Sequence, residues 1–384
     1  MRIVMSEPLR FRDDVRVGSH HYAAGFLRAG HELFWLGAPF HLLGALRGLA
    51  GAERHEFAAE SLRRGPTAIG AASYAYHPVT LLPYRDRPFL RSRFVLTRTL
   101  DYCVPSLART LQRLGFDRPE LLWLSQSPSS AALARLVRPA MTAYRLSDRY
   151  ESFGKSRALY AQLERELLGR ADVIFVSARD LLDDLGVDLR RKAHYVPNGC
   201  DVAHFAPAGR ALPGLLASIP APRVIYAGTL GPWVDFDLIA EAARRLPHVS
   251  FVLVGPALVP ASMLPLRDNI HWLGSVPYDA MPSLFEHSAI GLIPFRRSPL
   301  TESTNPIKLY EYLAAGLAVV TTPLRETVSL AAPVAYAEDS AAMVAAIEAE
   351  LSKPGDPQPR VGFAQQHDWS VRFATVARAC GLEG

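Results

Sequence analysis

The stretch Ser303–Val320, STNPIKLYEYLAAGLAVV, carries the signals of a helix followed by a short apolar strand. Thr304 or Asn305 can accept a hydrogen bond from the first free amides of such a helix. Pro306 suits the first helical position, and Gly316 suits the residue that ends the helix. We therefore predict a helix that begins at Pro306 and leads directly into a buried strand.

Lys308 does not fit an ordinary helix start, because a cation in the first turn faces the positive end of the helix dipole. A bound phosphate would remove this conflict, since the first amides of a helix bind anions and Lys308 would supply a counter-charge. Glu311, one turn later, could accept two hydroxyls of a ribose. The alternative is a surface pair of Lys308 with Glu311, worth roughly a few tenths of a kcal/mol. We favour the anion site, because the surface pair leaves Lys308 unexplained.

The composition of the chain excludes several classes of protein. Its 384 residues are too many for one core of usual size and predict two or three domains. Apolar residues make up 49% and charged residues 21%, which excludes a disordered or fibrous protein. The net charge of +5 allows a nucleotide, a phosphate or an anionic lipid as partner, but it is too small to indicate nucleic acid.

The cysteines and the apolar runs bear on the compartment. Cys103, Cys200 and Cys380 lie far apart with no CxxC spacing, so they indicate neither a disulfide framework nor a zinc site. The apolar run in Met1–Glu7 is too short for a signal peptide. No later stretch reaches the roughly 18 apolar residues of a membrane span. We expect a cytoplasmic protein.

Short apolar runs that end at Gly, Pro or Ser alternate with helical segments in both halves of the chain. This alternation is typical of parallel sheets covered by helices on both faces, and it predicts the α/β class. The runs predicted as strands are 2–6, 32–36, 120–125, 143–147 and 173–176 in the first half, and 223–228, 250–254, 270–273, 289–294, 318–321 and 334–337 in the second. The predicted helices include 19–29, 237–246 and 369–379, and the Pro- and Ala-rich segment 206–222 is typical of a linker.

Neither a dinucleotide site nor a metal site is predicted. The motif G-x-G-x-x-G is missing after the first strand of each half, which disfavours a nicotinamide enzyme. Asp235 and Asp237 have the Asp-x-Asp spacing that holds a divalent cation on the diphosphate in transferases of another fold. We interpret Asp237 instead as the N-cap of the helix 237–246, and we expect no metal and no cofactor.

Two histidines follow the first predicted strand. The loop 10–21, which contains His20 and His21, lies at the carboxyl end of that strand, where open α/β sheets bind ligands. Both histidines are therefore candidates for contact with an acceptor. An equally good interpretation is a solvated helix start with Ser19 as its N-cap.

Asp148 follows the predicted strand 143–147 at its carboxyl end. A carboxylate at this edge of a doubly wound sheet is in the position of a catalytic base. The alternative is that Asp148 or Ser147 caps a helix that begins near Ser152. We favour the catalytic interpretation.

Residues 81–118 contain eight arginines against three aspartates, interleaved with Phe89, Phe94 and other apolar residues. Such a segment could dock on an anionic membrane, since each basic residue near the surface contributes about 1 kcal/mol. A pair of ordinary helices with solvated arginines is the commoner arrangement. Both interpretations stay open.

The segment 306–316 has the pattern Pro-x-Lys-x-x-Glu-Tyr-x-Ala-x-Gly and resembles the donor-site helix of GT-B glycosyltransferases. The resemblance implies two Rossmann-like, doubly wound parallel-sheet domains that face a central cleft. It implies a nucleotide sugar as ligand, and we expect a UDP-sugar. The implied ranges are 1–205 for an N-terminal acceptor domain, 206–365 for a C-terminal nucleotide-sugar domain, and 366–384 for a helix that crosses back to the first domain.

Two shorter segments narrow the resemblance. Residues 144–148, YRLSD, are similar to the segment that carries the proposed base of the xanthan-type glucuronosyltransferase, and Asp148 falls on that base. Residues 226–237, YAGTLGPWVDFD, resemble bacterial teichuronic-acid and exopolysaccharide transferases. The donor contacts implied by resemblance are Gly228, Thr229 and Gly231 for the diphosphate and sugar, Val276, Pro277 and Tyr278 for the base, and Asn305, Pro306, Ile307, Lys308 and Glu311 for the phosphate and ribose.

The expected function is transfer of a sugar to a glycan or lipid-linked acceptor in bacterial polysaccharide or glycoconjugate biosynthesis. Retaining GT-B enzymes often carry Glu-x7-Glu, whereas here Thr304 and Ser303 stand seven and eight positions before Glu311, and Glu302 stands nine positions before it. This departure favours an inverting reaction with Asp148 as general base. Three alternatives stay open, namely a retaining glycosyltransferase, a sugar-nucleotide epimerase and a non-catalytic sugar-nucleotide-binding protein. Through 81–118 we expect peripheral contact with the inner face of the plasma membrane.

Overall fold

The computed structural model describes residues 1–12, 15–42, 52–82, 84, 88–149 and 157–382. The chain divides into two compact units, and each unit contains a parallel sheet of its own. The predicted α/β class with two Rossmann-like sheets is confirmed. The first unit consists of Met1–Asp13, Gly18–Val196 and Phe373–Gly384, and the second of Asp14–Val17 and Pro197–Arg372.

Eleven described strands belong to the first unit. They are β1 (Arg2–Ser6), β2 (Glu32–Leu36), β3 (Phe40–His41), β4 (Thr67–Gly70), β5 (Ser73–Tyr76), β6 (Val79–Thr80), β7 (Cys103–Val104), β8 (Leu121–Leu124), β9 (Met141–Leu146), β10 (Val173–Val176) and β11 (Ala193–Tyr195). Eight of them form a sheet in the order β11-β10-β9-β8-β1-β2-β5-β4, and β3, β6 and β7 form a small second sheet. All pairs in the large sheet are parallel except β4 with β5.

Strand β1 lies inside this sheet because its side chains are apolar on both faces. Ile3, Val4 and Met5 are completely buried, and β1 pairs with β2 on one side and with β8 on the other. The strand order reverses at this point, since later strands are added on both sides of β1. Ligands of open α/β sheets bind outside the carboxyl ends of strands at such a reversal.

Eight described helices belong to the first unit. They are α1 (Gly18–Arg28), α2 (Ala52–Arg64), α3 (Arg93–Arg98), α4 (Leu107–Leu114), α5 (Ser130–Leu136), α6 (Arg157–Arg170), α7 (Arg179–Asp183) and α8 (Val187–Arg190). The helix predicted over 19–29 is confirmed as α1 to within one residue at each end. The helix start predicted near Ser152 lies outside the described residues.

The second unit contains a six-stranded sheet in which all pairs are parallel. Its strands are β12 (Arg223–Ala227), β13 (Ser250–Val254), β14 (Ile270–Trp272), β15 (Ile290–Ile293), β16 (Ala318–Thr321) and β17 (Ala335–Tyr336), in the order β14-β13-β12-β15-β16-β17. Its helices are α9 (Val202–Phe205), α10 (Phe236–Arg245), α11 (Met281–Glu286), α12 (Pro299–Glu302), α13 (Ile307–Ala314), α14 (Arg325–Ser329), α15 (Ser340–Ser352), α16 (Gln358–Gln365) and α17 (Trp369–Ala379), the last of which ends in the first unit. Every strand predicted from an apolar run is present in the two units to within two residues at each end.

One local prediction is wrong, and several short strands were not predicted. Asp235, and not Asp237, is the N-cap of α10, because Asp235 Oδ1 accepts a hydrogen bond from the amide of Leu238 at 3.1 Å. The helix therefore begins one residue earlier than predicted. Strands β3 to β7 were not predicted, because they are short and lack the continuous apolar run of the central strands.

The residues that the structure describes include no helix that is both long enough and apolar enough to cross a membrane.

Candidate functional site

Helix α13 begins later than its sequence signals predict. Pro306 is the N-cap rather than the first helical residue, and no side chain caps the helix. Thr304 does not cap it, because its hydroxyl donates to the carbonyl of Leu300 at 2.8 Å. Gly316 has φ +76° and follows the C-cap Ala315, which confirms its predicted role at the helix end.

Asn305 forms hydrogen bonds with Asn198 and Glu326 and does not cap the helix. The backbone amide of Asn198 donates to Asn305 Oδ1 at 3.1 Å, and Asn198 Nδ2 donates to the Asn305 carbonyl at 2.7 Å. Asn305 Nδ2 donates to Glu326 Oε1 at 2.9 Å, and Glu326 is buried. The Asn305 side chain therefore fixes the backbone that enters α13. We call Asn198, Asn305 and Glu326 the amide clamp.

The start of α13 carries backbone donors and a cation together. Among the described residues, the amides of Ile307 and Lys308 have no hydrogen-bond acceptor. Lys308 Nζ lies 5.6 Å from the ring centroid of Tyr226 and 5.3 Å from that of Phe295. These aromatic faces stabilise the ammonium without neutralising its charge. The arrangement suits an anion at the mouth of the helix.

Lys308 and Glu311 are a half-buried, electrostatically linked pair in the second unit. Burial lowers the pKa of Lys308, and the nearby Glu311 carboxylate opposes that shift. Burial raises the pKa of Glu311 to about 7, and Lys308 opposes that shift. An anionic ligand beside Lys308 would favour its charged form, because the ligand adds a second counter-charge.

Glycines allow the loops after β12 and β13 to approach Lys308 and each other. Gly228 has φ +151°, and a Cβ there would lie 2.8 Å from Lys308 Cε. A Cβ at Gly255 would lie 2.2 Å from the Gly228 carbonyl oxygen. The loop after β12 is also held by the Tyr226 hydroxyl, which donates to the Thr229 carbonyl at 2.9 Å. The structure thus brings Gly228 and Lys308 together, as the proposed diphosphate site requires.

Gly231 also lies in this loop, where its role is packing. A Cβ at Gly231 would lie 2.5 Å from the ring of Trp233. The amide of Gly231 donates to the Thr229 carbonyl at 3.0 Å, and the amide of Leu230 donates to Pro256 at 2.9 Å. The loop 228–231 is therefore a tight turn braced against the loop after β13.

The three residues predicted to flank the base follow β14. Pro277 is the N-cap of a short 3-10 helix, Tyr278–Ala280. Tyr278 stacks on His204 with ring centroids 4.5 Å apart, and Val276 and Tyr278 are both buried. His204 covers one face of the Tyr278 ring, and the Arg16 guanidinium lies 5.2 Å from the ring centroid. Their role in base binding stays a prediction.

Asp148 lies at the carboxyl end of β9, as predicted, and is half-buried. The side chain of Gln126 holds its backbone on both sides, accepting from the Asp148 amide at 2.8 Å and donating to the Asp148 carbonyl at 2.6 Å. Gln126 Nε2 also donates to Glu164 at 2.9 Å. The carboxylate is therefore carried by a rigid turn, which suits a positioned base.

His20 and His21 lie near the start of α1 and are buried, not solvated. His20 Nε2 donates to the Arg10 carbonyl at 2.8 Å, and its ring lies 4.9 Å from that of Trp35. His20 therefore holds the loop after β1. A direct contact of either histidine with an acceptor stays a prediction.

Glu7 was not singled out in the sequence, although it directly follows β1. It is almost completely buried, and burial raises its pKa to about 8 while Ser19, Ser125 and Arg145 oppose that shift. The available signal was an acidic residue at the end of an apolar strand. Its burial could not be foreseen, because its neighbours come from other parts of the chain.

Asp235 and Asp237 both form ion pairs with Arg296. Arg296 lies 3.4 Å from Asp235 and 2.7 Å from Asp237. In the part of the chain that the structure describes, no three His, Cys, Asp or Glu side chains are grouped closely enough to hold a metal ion.

Sequence comparison finds a family domain in the second unit. Residues 221–353 match the family described as glycosyl transferases group 1. The chain is also similar to TuaH of Bacillus subtilis strain 168, named as a teichuronic acid biosynthesis glycosyltransferase, with 29% identity over 243 residues. That alignment covers 59% of this chain and spans only 61% of the relative. The predicted resemblance to teichuronic-acid transferases is confirmed.

Comparison with solved structures shows the fold. Sucrose-phosphate synthase from Thermosynechococcus elongatus matches with a TM-score of 0.70 and 13% identity, covering 98% of this chain and 97% of the other. Anabaena HepE in complex with UDP-glucose matches with a TM-score of 0.64 and 14% identity, covering 100% of both chains. The predicted GT-B fold is confirmed.

Proposed function

We propose that this protein, a GT-B chain whose residues 221–353 form a glycosyl transferases group 1 domain, transfers a sugar from a nucleotide sugar to an acceptor. We propose a UDP-sugar as the donor and a glycan or lipid-linked glycan as the acceptor. The name of the Bacillus subtilis relative supports polysaccharide biosynthesis, and the UDP-glucose bound to HepE supports the donor.

The observation that carries this proposal is the start of α13. Gly228 lies against the Lys308 side chain, and among the described residues the amides of Ile307 and Lys308 have no acceptor. A diphosphate bound here would accept hydrogen bonds from these amides and receive a counter-charge from Lys308. Glu311, one turn further along the same helix, would accept ribose hydroxyls when ionised. The spacing of Lys308 and Glu311 thus matches a nucleoside diphosphate.

For the chemical step we propose inversion with Asp148 as general base. The Asp148 carboxylate would take the proton of the acceptor hydroxyl while that oxygen forms a bond to the anomeric carbon. The bond from the anomeric carbon to the diphosphate oxygen breaks on the opposite face, and the nucleoside diphosphate leaves with the electron pair. The new glycosidic bond therefore has the opposite anomeric configuration.

The charge that develops on the leaving diphosphate would be stabilised by protein groups. Lys308, whose surroundings partly exclude water, and the first amides of α13 would act as a preorganised set of donors, which are most effective where water is excluded. We therefore propose chemistry that does not depend on a metal ion. Addition of a chelator should leave the transfer rate unchanged.

Membrane docking would bring the protein to a lipid-linked acceptor. Phe89 is 63% exposed and Phe94 is 45% exposed, with their ring centroids 6.4 Å apart. The Arg98 guanidinium lies 5.3 Å from the Phe94 ring, while Arg93 is paired with Glu166 at 2.6 Å. Paired aromatic rings beside an arginine are suited to the lipid headgroup region. Arg85 and Arg87 of this segment lie outside the described residues.

The test of the donor site is a UDP titration of the wild type and the Lys308→Met variant. We expect the variant to bind UDP about 10- to 100-fold more weakly, because a charge-assisted contact is lost. The matched control is Lys353→Met, since Lys353 is an exposed lysine at the C-cap of α15. Equal UDP affinity of the Lys308 variant and the wild type would remove Lys308 from the site.

Product analysis separates the remaining alternatives. The wild type is incubated with UDP-glucuronic acid, UDP-glucose, UDP-galactose or UDP-N-acetylglucosamine, with and without an acceptor glycan. Transferred sugar supports the proposal, and the anomeric configuration of the product reports inversion or retention. An isomerised donor would instead indicate an epimerase, and tight binding of an unchanged donor would indicate a non-catalytic binding protein.

A further inference from the structure

The side chain of Gln126 extends the pairing of strands β8 and β9 beyond their last backbone pair. That pair is Leu124 with Tyr144. Further along, Gln126 Oε1 accepts hydrogen bonds from the amides of Ser147 at 3.0 Å and Asp148 at 2.8 Å. Gln126 Nε2 donates to the Asp148 carbonyl at 2.6 Å. A side chain that follows β8 therefore takes the place of strand backbone at the turn that carries Asp148.

The partners of Gln126 allow one orientation of its amide group. The oxygen of this amide faces two backbone donors, and the nitrogen faces two acceptors, the Asp148 carbonyl and Glu164 Oε1 at 2.9 Å. A rotated amide would place its nitrogen against the two donors and its oxygen against the two acceptors. The four hydrogen bonds exist together only in the orientation observed.

Glu164 links this orientation to helix α6. Its Oε1 also accepts a hydrogen bond from the hydroxyl of Tyr144 at 2.9 Å, and Tyr144 is a buried residue of β9. An ionised carboxylate only accepts hydrogen bonds, so rotation of the Gln126 amide would turn an acceptor toward another acceptor. Glu164 therefore opposes rotation of the Gln126 amide.

The same turn is held from two further elements. Ser177 Oγ, directly after β10, donates to the Ser147 carbonyl at 2.7 Å. The Arg149 guanidinium forms an ion pair with Asp180 of α7. With the bonds from Gln126, the amide and the carbonyl of Ser147 and of Asp148 all have hydrogen-bond partners. A group carried by such a turn needs little reorganisation before it reacts.

We propose that Gln126 and Glu164 are positioning residues of the transfer reaction. Gln126 holds the Asp148 backbone so that the carboxylate stays aligned with the acceptor hydroxyl, and Glu164 keeps the Gln126 amide in the orientation that this requires. In this role neither residue exchanges a proton with the substrate. The inference rests on the proposed function of Asp148 as general base, whereas the hydrogen bonds of the turn do not.

The variant Gln126→Met tests the first residue, because methionine is of similar length and cannot form the four hydrogen bonds of the amide. We expect kcat to fall about 10- to 100-fold, since a misplacement of about 1 Å can cost that much. The acceptor KM and the UDP affinity should match the wild type, because substrate contacts are not removed. Thermal unfolding checks that the variant is folded.

The matched control is Gln162→Met, which makes the same substitution at an exposed residue of α6. Gln162 Nε2 donates to Glu166 and not to the turn at Asp148. This control should retain the wild-type kcat. An unchanged kcat in Gln126→Met overturns the proposal, as does an equal loss in the control.

Two variants of Glu164 separate a hydrogen-bond acceptor from a group that acts through its charge. Glu164→Gln keeps a side-chain oxygen that can accept from Gln126 Nε2, so its kcat should stay close to the wild type. Glu164→Met has no such oxygen and should lower kcat about 10-fold, because one hydrogen bond of the amide is lost. Equal losses in both variants would overturn the positioning role of Glu164, and so would an unchanged kcat in Glu164→Met.

The Asp148→Asn background tests whether Gln126 acts through Asp148. The base is already removed there, so adding Gln126→Met should lower kcat by less than about 2-fold more. A further loss as large as that in the wild-type background would mean that Gln126 affects the reaction by another route. That result would overturn the proposal.

Hydrogen exchange of the peptide that contains Ser147 and Asp148 tests the turn without any activity measurement. Gln126→Met should speed its exchange about 10-fold or more, whereas Gln162→Met should not. Faster exchange in Gln126→Met together with an unchanged kcat in Asp148→Asn would reject Asp148 as the base and keep Gln126 as the residue that holds the turn. Unchanged exchange together with the expected loss in Asp148→Asn would keep the proposed base and reject the positioning role.

Discussion

Glu7, Lys308 and Glu311 are held in surroundings that disfavour their charged forms. Burial raises the pKa of Glu7 to about 8 and of Glu311 to about 7, and it lowers the pKa of Lys308. Lys308 and Glu311 lie in the proposed donor site, where an anionic ligand and ribose hydroxyls would stabilise the charged forms. Glu7 is used by no proposed step, so its effect should be seen in stability.

We predict that Glu7→Gln removes part of the pH dependence of stability. In the wild type the unfolded state ionises near pH 4.5, whereas the folded state keeps the proton until about pH 8. Because the folded state binds the Glu7 proton more tightly, Glu7 contributes fully to the free energy of unfolding below pH 4.5. This contribution is lost as the pH rises to about 8, a change on the order of a few kcal/mol. Urea unfolding of both proteins at pH 5 and pH 8 measures it. Glu311 titrates in both proteins, so its contribution cancels when the two are compared. If the free energy of unfolding changes equally in both proteins between pH 5 and pH 8, the prediction is wrong.

We predict that Asp148→Asn lowers kcat about 10²–10⁴-fold, because a positioned base contributes that much. Gln126 bonds to the Asp148 backbone and not through its carboxylate, so the substitution should preserve the turn. UDP affinity and the thermal unfolding midpoint should therefore match the wild type. If kcat is unchanged, or if the product keeps the donor's anomeric configuration, another group performs this step.

At the scale of elements, the start of α13 depends on a segment far away in the chain. The turn that precedes the helix is held by Asn198, 107 positions earlier, and by Glu326 from α14. Asn198 belongs to the segment that follows β11, where the chain passes into the second unit. The amide clamp therefore couples this connecting segment to the proposed diphosphate site.

We predict that Asn198→Ala weakens UDP binding about 10-fold although Asn198 is not one of the proposed diphosphate contacts. The variant loses the bond from Nδ2 to the Asn305 carbonyl, which lets the amides of α13 move. The control is Asn269→Ala, because the Asn269 side chain bonds to three carbonyls away from α13. That control should lose stability but bind UDP like the wild type. A UDP affinity that falls equally in both variants would mean a general loss of structure.

At the scale of the whole molecule, the exposed aromatic pair Phe89 and Phe94 is the feature that bears on where the protein acts. Large exposed apolar side chains that lie together mark interaction surfaces more often than single ones do. The net charge of +5 adds a long-range attraction to anionic surfaces. These two observations are the basis of the proposed reversible attachment to a membrane.

We predict salt-sensitive binding to anionic vesicles that is weakened by replacing Phe89 and Phe94 with serine. Sedimentation with vesicles of phosphatidylglycerol should retain the wild type at low salt and release it at higher ionic strength, because the attraction is screened. Neutral phosphatidylcholine vesicles should retain less protein. The control Val187→Ser replaces a single apolar residue of the same unit that is 71% exposed. Failure of the wild type to bind at low salt would indicate a soluble acceptor.

The regular elements and the central helix of the proposed site could be predicted from local patterns. A short continuous apolar run such as Ile3–Met5 is typical of a strand that is buried on both faces of a parallel sheet. The strand can therefore be predicted from the run without knowledge of its partners. Lys308 and Glu311 are three positions apart, which places them on neighbouring turns of one helix, so their proximity follows from the sequence alone. Both inferences need only neighbours in the chain.

The remaining features depend on partners that are distant in the chain. Asn305 has the residue type of a helix cap, yet it bonds to Asn198 and Glu326, because these competing partners are brought to it by folding. Glu7 is removed from water for the same reason. Burial and hydrogen-bond partners are properties of the packed units, since they depend on which distant atoms exclude water from a side chain.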